Sequence, residues 1–224
     1  MMRSGGKEIA VFGDPAAKTV IWMHCFSDEG ERAYALLPAD IRQAAALVSI
    51  RLSEQEWNAS LSPWAAPALF KGEPFAGGAE AWLQTLTGSV MPEVIAQNGL
   101  SPERHLIAGY SLAGLFALWA LYHTDRFSAA ASISGSLWYP GFAEFIRTHQ
   151  PVRQPEHVYL SLGDRESRAR NPVLASVEKN TAAISSCFKE SDVHFVYELN
   201  PGGHTNHAEE RTARALDWLI RQYK

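Results

Sequence analysis

One serine of the chain stands where nucleophilic chemistry is expected. The segment reads Gly109-Tyr110-Ser111-Leu112-Ala113, with a short apolar run before it and a longer one after it. A serine on a sharp strand-to-helix turn presents its hydroxyl at the end of the strand, and its neighbours must be small because two backbones approach closely there. Gly109 and Ala113 meet that need, although glycine is commoner at the second place. We predict that Ser111 is a nucleophile, the alternative being an inert serine in a tight turn.

A nucleophilic serine needs a base, which is expected after the last strand because the chain order of such sites is serine, acid, histidine. His204 follows a Pro-Gly-Gly turn just past the final predicted strand, and the glycines let the loop fold back over the strand ends. His207 is the alternative, although it is expected at the start of the last helix. The other histidines considered lie near strand starts or helix ends: His105, His157, His194, His123 and His149.

The acid that orients the histidine is expected after the preceding strand. Gly163 ends a run of strand-forming residues there, and both Asp164 and Glu166 follow it. In hydrolases that use a serine, a histidine and an acid, the acid often lies three residues after such a glycine, which favours Glu166. Asp164 is nearer the strand end and has the shorter side chain, so both stay candidates. The carboxylate that is not the acid is expected to pair with a neighbouring arginine: Arg165, Arg168 or Arg170.

When a serine attacks a carbonyl group, the carbonyl oxygen becomes negatively charged, and N–H donors are needed to stabilise this oxyanion. The first donor is expected to be the amide of Leu112, which follows the nucleophile. The second should come from the turn after an early strand, where His24-Cys25-Phe26 resembles the His-Gly-X turn of such enzymes, with Cys25 in the place of glycine. The amide of Phe26 is therefore the second predicted donor. Cys25 is itself an alternative nucleophile, but nothing in the sequence lowers its pKa.

The elements that must position these residues alternate along the chain. Apolar, β-branched runs alternate with helical stretches, which is typical of a mainly parallel central sheet with helices on both faces. The predicted strands cover 8–12, 19–24, 46–51, 105–108, 129–134, 157–162 and 194–199. The predicted helices cover 32–43, 79–96, 112–123, 140–149, 171–188 and 207–223. The fold class predicted is α/β, in a single domain over 1–224 without a large separate lid.

One segment, near 56–78, breaks this alternation. It contains Trp57 and Trp64 among several Pro, Gly and Phe residues, and we predict an irregular loop excursion. Long loops in compact domains are often lids or binding loops. Trp57 and Trp64 are therefore predicted to bind substrate, and a packed surface loop is the alternative.

Composition narrows the classes of partner. The 224 residues have a formal net charge of −4 and no run rich in Lys or Arg, so neither nucleic acid nor an anionic membrane surface is expected. No stretch reaches the roughly 18 apolar residues of a membrane span. The two distant cysteines, Cys25 and Cys187, suggest reduced thiols and a cytoplasmic location. No group of Cys, His and carboxylates has the spacing of metal ligands, and no metal or organic cofactor is expected.

The chain resembles the esterase branch of the α/β-hydrolases that includes enterochelin esterases, S-formylglutathione hydrolase (esterase D) and feruloyl esterases. The resemblance rests on the turn at 109–114, the segment 134–138 (Ser-Gly-Ser-Leu-Trp) and the Gly-Gly-His turn that ends at His204. It implies an α/β-hydrolase fold and a catalytic triad. It also implies that Trp138 walls the acyl or alcohol pocket, packing under a loop being the alternative.

These observations together predict a serine esterase that cleaves a small carboxylic ester or thioester through an acyl-enzyme intermediate. An acyltransferase with the same triad is one alternative, and a non-catalytic binding protein with a hydrolase fold is another. A peptidase is less favoured, because no extra domain to select peptides is evident. Neither the natural substrate nor the oligomeric state is specified by the sequence.

Overall fold

The structure, a computed structural model, describes residues 1–69 and 73–224. Eight strands form its central sheet, and two short strands, β5 and β6, form a separate pair. In chain order the strands are β1 (Met2–Ser4), β2 (Lys7–Phe12), β3 (Thr19–Cys25), β4 (Ala45–Arg51), β5 (Ala65–Ala66), β6 (Phe75–Ala76), β7 (Arg104–Tyr110), β8 (Ala129–Ile133), β9 (His157–Gly163) and β10 (His194–Asn200). The seven strands predicted from the sequence are confirmed to within two residues at each end.

The sheet is mainly parallel, as predicted. Its strand order is β1-β2-β4-β3-β7-β8-β9-β10. The six strands from β4 to β10 in this order pair in parallel, and only β1 with β2 and β2 with β4 pair antiparallel. The carboxyl ends of β3, β7, β9 and β10 therefore lie along the same edge of the sheet, where ligands bind in open α/β sheets.

Helices cover both faces of the sheet. In chain order they are α1 (Glu29–Ala35), α2 (Ala39–Ala44), α3 (Glu54–Leu61), α4 (Ala79–Thr85), α5 (Met91–Asn98), α6 (Leu112–Ala120), α7 (Phe142–Thr148), α8 (Pro172–Ala175), α9 (Val177–Lys189) and α10 (Ala208–Arg221). Alternate residues of β3 contribute to two apolar clusters, Trp22 to one and Met23 to the other. Residues of α1, α2 and α10 pack in the second cluster, and the first holds α3 to α7 and α9. No separate lid domain is found among the described residues.

Three predicted helices are interrupted, and proline explains two of the interruptions. The helix predicted over 32–43 is wrong as a single element, because Pro38 separates α1 from α2. The helix predicted over 79–96 contains a π-helical turn, Leu86–Val90, just before Pro92. Proline cannot donate a hydrogen bond to the preceding turn, and its ring crowds the carbonyl there. The helix predicted over 171–188 is divided into α8 and α9 at Ser176.

The prediction of an irregular excursion near 56–78 is wrong for much of that segment. Its first part belongs to α3, and its later part contains the antiparallel pair of β5 and β6. The signal for α3 was a capping box: Ser53 Oγ accepts a hydrogen bond from the Glu56 N–H at 3.3 Å, and the Glu56 carboxylate accepts one from the Ser53 N–H at 2.8 Å. Residues 70–72 of the predicted excursion lie outside the described residues.

None of the helices in the described part of the chain is both long enough and apolar enough to cross a membrane.

Candidate active site

Ser111 lies at the apex of a sharp turn between β7 and α6. Its backbone has φ +57° and ψ −122°, a conformation that is strained for a residue with a side chain. Hydrogen bonds hold the turn: the Ser111 N–H donates to the Ile133 carbonyl at 3.0 Å, and the N–H groups of Gly114 and Leu115 donate to the Ser111 carbonyl at 3.0 and 3.1 Å. The surrounding fold thus fixes the direction in which the hydroxyl points.

The turn requires glycine at position 109. A Cβ atom at Gly109 would lie 2.3 Å from the backbone carbon of Ala113, closer than any side chain tolerates. Ala113 is completely buried, so a larger residue there would meet the same crowding. The small residues that the sequence showed around Ser111 are therefore explained by the contact of β7 with the first turn of α6.

Three side chains from different loops form a hydrogen-bonded chain. His204 Nε2 lies 3.0 Å from Ser111 Oγ, and His204 Nδ1 lies 2.7 Å from Glu166 Oε2. Ser111 follows β7, Glu166 follows β9 and His204 follows β10, so all three lie at the carboxyl edge of the sheet. This is the order and geometry in which a histidine takes a proton from a serine while a carboxylate fixes its tautomer.

The Glu166 carboxylate is almost fully buried, with only 5% of its side chain exposed. Burial acts to raise its pKa, but hydrogen bonds from His204, the Gly163 N–H and Ser134 outweigh burial and lower the pKa below its usual value. The Gly163 N–H bond to Oε1 measures 2.7 Å. Glu166 is therefore ionised near neutral pH, the state that stabilises an imidazolium beside it.

Asp164, the other candidate acid, does not contact His204. Its Oδ1 accepts a hydrogen bond from the Gly202 N–H at 2.7 Å and lies 3.9 Å from Arg165 Nε. This contradicts its candidacy as the acid, because its short side chain is already turned towards the backbone after β10. Asp164 instead fastens the loop that carries Glu166 to the loop that carries His204, and the predicted pairing with a neighbouring arginine is confirmed.

The two loops after β9 and β10 approach each other closely. The Asp164 N–H donates to the Asn200 carbonyl at 2.8 Å, and the Arg165 N–H donates to the Gly202 carbonyl at 3.1 Å. A Cβ atom at Gly163 would lie only 2.4 Å from that Gly202 carbonyl oxygen. Glycine at position 163 thus lets the acid and histidine loops lie against each other.

The two predicted oxyanion donors belong to residues near Ser111. Leu112 is the first residue of α6, so its N–H has no carbonyl one turn earlier in the helix to bond. Phe26 follows β3, which pairs with β7, the strand that leads to Ser111. Phe26, Ser111 and His204 line one cavity of about 370 Å³.

Cys25 has the properties of a packing residue. Burial raises the pKa of its thiol to about 12, and its Sγ accepts a hydrogen bond from Ser49 Oγ at 3.4 Å. Reactive cysteines have lowered pKa values, because the thiolate is the nucleophile. The structure therefore disfavours Cys25 as an alternative to Ser111.

Two further cavities meet the first at Ser111. One of about 410 Å³ has Trp57, Phe75 and Trp138 among its lining residues, and one of about 280 Å³ is lined by Trp138 and by aliphatic residues of the segment 169–177. Trp57 also lines the cavity of about 370 Å³. Two of the three predicted pocket tryptophans, Trp57 and Trp138, thus line cavities that Ser111 also lines.

Trp64, the third tryptophan, is not placed at this site. Its indole N–H donates to the Pro140 carbonyl at 2.9 Å, and its ring packs against Tyr139, Phe142 and Phe145. The prediction that Trp64 binds substrate is therefore corrected: β5 follows it directly and turns its side chain into an aromatic cluster with α7.

Several side chains near Ser111, Glu166 and His204 were not predicted as site residues. Ser136 Oγ lies 3.2 Å from Ser111 Oγ, and the hydroxyl of Tyr110 donates to the His204 carbonyl. Arg211 of α10 lies behind Glu166 and is 1% exposed. The sequence could have identified Arg211, because it lies on the same apolar stripe of α10 as Ala215 and Leu219. A charged residue on such a stripe is buried and needs a partner.

Comparison with known proteins assigns the chain to a family. Residues 24–208 match the family described as Putative esterase, and the chain belongs to this family. The match includes the turn at Ser111 and the loops that carry Glu166 and His204. Family membership supports the hydrolysis of esters as the general activity, and the fold is that of the α/β-hydrolase superfamily.

Individual relatives are distant. An uncharacterized protein of Bacillus subtilis (strain 168), YbbA, is 26% identical over 183 residues, which cover 77% of this chain and 73% of that protein. The siderophore hydrolase EstA of Aspergillus nidulans superposes with a TM-score of 0.74 at 18% identity, over 94% of this chain and 85% of EstA. The enterochelin esterase of Shigella flexneri has a TM-score of 0.68 at 19% identity, over 96% of this chain and 54% of the esterase. At these identities the structural likeness defines the fold and leaves the substrate open.

Proposed function

We propose that this protein is a serine esterase that cleaves small carboxylic esters or thioesters through an acyl-enzyme intermediate. The observation that carries the proposal is the chain of contacts from Ser111 Oγ to His204 Nε2 at 3.0 Å and from His204 Nδ1 to Glu166 Oε2 at 2.7 Å. In this assignment Ser111 is the nucleophile, His204 the general base and Glu166 the acid that orients it.

Acylation begins when His204 removes the proton of the Ser111 hydroxyl while the oxygen attacks the ester carbonyl. The negative charge on the carbonyl oxygen is stabilised by the N–H groups of Leu112 and Phe26. Loss of one such donor typically lowers kcat by a factor of about a hundred to a thousand. His204 then gives its proton to the departing alcohol or thiol, and the acyl group remains on Ser111.

Deacylation repeats these steps with water. His204 removes a proton from the water, the hydroxide attacks the acyl carbonyl, and the proton returns to Ser111 as the acid product leaves. Every atom comes from the ester, from water or from the chain, so the proposal includes no metal and no organic cofactor. Nucleic acid and membrane have no part in it.

The shape of the site supports a small-molecule substrate with an apolar part. The three cavities that meet at Ser111 have volumes of about 370, 410 and 280 Å³, in the range of sites for small ligands. The aromatic rings of Trp57, Phe75 and Trp138 supply much of the wall of the second cavity. We propose that one of these cavities holds the acyl part of the ester and another the alcohol part.

The test is hydrolysis of p-nitrophenyl esters of increasing acyl length by the wild type and by Ser111→Ala, with fluorophosphonate labelling in parallel. The variant is expected to lose both hydrolysis and labelling, while the control Ser101→Ala, an exposed serine away from the site, keeps both. Hydrolysis that persists in Ser111→Ala contradicts the assignment of the nucleophile. A folded wild type with neither activity nor labelling favours the binding-protein alternative. Ester products formed with an added alcohol would indicate an acyltransferase.

We also propose a cytoplasmic location. Both cysteines are free, Cys25 buried and Cys187 partly buried, which suits a reducing compartment. Fractionation of cells that express the protein with an untagged amino terminus tests this proposal, and recovery outside the cytoplasmic fraction would contradict it.

A further inference from the structure

The buried side of α10 carries a charged residue. Arg211 is 1% exposed and stands on the same stripe of the helix as Ala215 and Leu219, both completely buried. A buried guanidinium destabilises a fold unless it is paired and hydrogen-bonded. Its partners therefore indicate what this residue does.

Every partner of the Arg211 guanidinium belongs to a segment that forms the site. Its Nη1 donates to Ser134 Oγ at 3.0 Å, to Glu166 Oε1 at 3.5 Å and to the Tyr110 hydroxyl at 3.5 Å. Its Nη2 donates to the Pro201 carbonyl at 2.9 Å. One planar group thus contacts the acid, the residue before the nucleophile, the end of β8 and the start of the histidine loop.

These contacts leave the acid and the histidine little freedom. Glu166 Oε1 is occupied by the Gly163 N–H and by Arg211, which turns Oε2 towards His204. The hydroxyl of Tyr110 donates to the His204 carbonyl, so the loop of His204 is held through Tyr110 as well as through Pro201. Arginine suits this place because its rigid, planar fork carries several donors, whereas lysine has a single nitrogen.

We propose that Arg211 is a positioning residue that holds the Glu166 carboxylate and the His204 loop in register with Ser111. The proposal rests on the proposed function in that it names the residue behind the same triad. Arg211 does not line the three cavities at Ser111, so its effect on the reaction is transmitted through Glu166, Tyr110 and Pro201.

The hydrogen bond between Glu166 and His204 gives the proposal a distinctive consequence. If Arg211 turns Oε2 towards His204, its removal disturbs the bond between Glu166 Oε2 and His204 Nδ1, which measures 2.7 Å. The proton of that bond therefore reports whether Glu166 is held in place.

The experiment compares Arg211→Met and Arg211→Lys with the wild type. The proton between His204 Nδ1 and Glu166 Oε2 is observed by NMR, with its resonance assigned by its loss in His204→Gln, and kcat and KM are measured with a p-nitrophenyl ester. Arg211→Met is expected to shift or broaden that resonance, because the Glu166 carboxylate is no longer held towards His204. Arg211→Lys keeps one donor near Glu166 and is expected to shift the resonance less. Both variants are expected to lower kcat about tenfold or more with little change in KM, because small displacements of catalytic groups impair the chemical step.

Arg214→Met is the matched control. Arg214 lies on the same helix and contacts Glu198 and Asn200 instead of the triad, so the control removes a positive charge from α10 without touching Glu166. It is expected to leave both the resonance of the His204 Nδ1 proton and kcat unchanged. Thermal unfolding identifies variants that do not fold; if Arg211→Met is one of them, the loss of kcat at constant KM in Arg211→Lys decides.

An unchanged resonance of the His204 Nδ1 proton in folded Arg211→Met, or an unchanged kcat in Arg211→Lys, would overturn the proposal. The NMR observation does not depend on an active enzyme. A wild type that hydrolyses no ester and takes no fluorophosphonate would therefore contradict the proposed function, while the NMR observation still tests the role of Arg211.

Discussion

The two halves of the site are built differently. The polar half consists of Glu166, His204, Tyr110 and Arg211, which follow or cover the ends of β7, β9 and β10. Hydrogen bonds hold it together, and the side chains of Glu166 and Arg211 are almost fully buried. The aromatic half consists of Phe26, Trp57, Phe75 and Trp138, and ring contacts hold it together.

Each half has one side chain that is open to solvent: His204 in the polar half, with 42% of its side chain exposed, and Phe26 in the aromatic half. Phe26 is 46% exposed, and its ring stacks on Trp57 with the centroids 3.9 Å apart. Trp138 is half-buried and packs against Phe75 at 5.9 Å. Contacts of this kind provide apolar area and tolerate changes of shape, because they depend little on the exact placement of single atoms.

The difference between the two halves indicates that they have different roles, proton transfer in the polar half and substrate binding in the aromatic half. A proton transfer depends on distances of a few tenths of an ångström, and directional hydrogen bonds from buried groups keep such distances. Substrate binding depends on the apolar area that is removed from water, and aromatic rings supply it. Substitutions in the polar half should therefore lower kcat, and substitutions in the aromatic half should change KM and the preferred acyl group.

The largest effect is expected for Glu166→Gln. The amide keeps the size of the side chain but favours the wrong tautomer of His204, so kcat should fall by a factor of about 10³ to 10⁴ with little change in KM. Steady-state kinetics with a p-nitrophenyl ester measure this. Asp164→Asn is the matched control, because Asp164 binds the Gly202 N–H and not the histidine. A larger loss of kcat in the control than in Glu166→Gln would show that the acid has been misassigned.

A smaller effect of the other kind is expected for Trp138→Leu. The substitution removes apolar wall from two cavities, so KM should rise about tenfold while kcat stays within about threefold, the pattern of lost binding shared by ground and transition states. Trp64→Leu is the control, since Trp64 packs against α7 away from Ser111. It should lower the melting temperature and leave KM unchanged. A fall in kcat at constant KM in Trp138→Leu would erase the distinction between the two halves.

The polar half should also leave a mark on acid stability. The pKa of Glu166 is lower in the folded protein than its ordinary value of 4.5, so ionisation of Glu166 stabilises the fold. This contribution is fully present above the ordinary pKa and is lost as pH falls through the lowered pKa of the folded state. In urea titrations the free energy of unfolding of the wild type should therefore approach that of Glu166→Gln as pH falls. A difference that stays constant from neutral to acid pH would show that hydrogen bonds do not lower this pKa.

The smallest effect on kcat is expected for Cys25→Ala, at a residue that belongs to neither half. The thiol is 3% exposed and burial raises its pKa to about 12, so kcat should stay within about threefold of the wild type. Iodoacetamide should modify Cys187, which is partly buried, before Cys25, as read by mass spectrometry of the digested protein. Fast modification of Cys25 with loss of activity would return it to the list of candidate nucleophiles.

Much of the fold and part of the site could be predicted from local patterns. The alternation of apolar runs located seven strands, because most of them are short, apolar and buried between helices. Gly109, Ser111 and the Gly-Gly-His turn at His204 were identified by residue type and position. The wrong predictions of local structure have local causes. Pro38 and Pro92 interrupt two helices that were predicted to be continuous, and the capping box of Ser53 and Glu56, which begins α3, was overlooked.

The rest was decided by tertiary structure. Asp164 and Glu166 are two residues apart, and only the packing of the β9 loop against the β10 loop directs one carboxylate to the Gly202 N–H and the other to His204. Trp57 and Trp64 lie in the same predicted excursion. In the structure, Trp57 belongs to α3 and lines a cavity with Ser111, whereas Trp64 precedes β5 and packs against α7. Arg211 acquires its partners from four segments, three of which are at least 45 residues away in the chain. Sequence determines which groups are available and where strands end, whereas the direction of each side chain depends on neighbours that only the folded chain brings together.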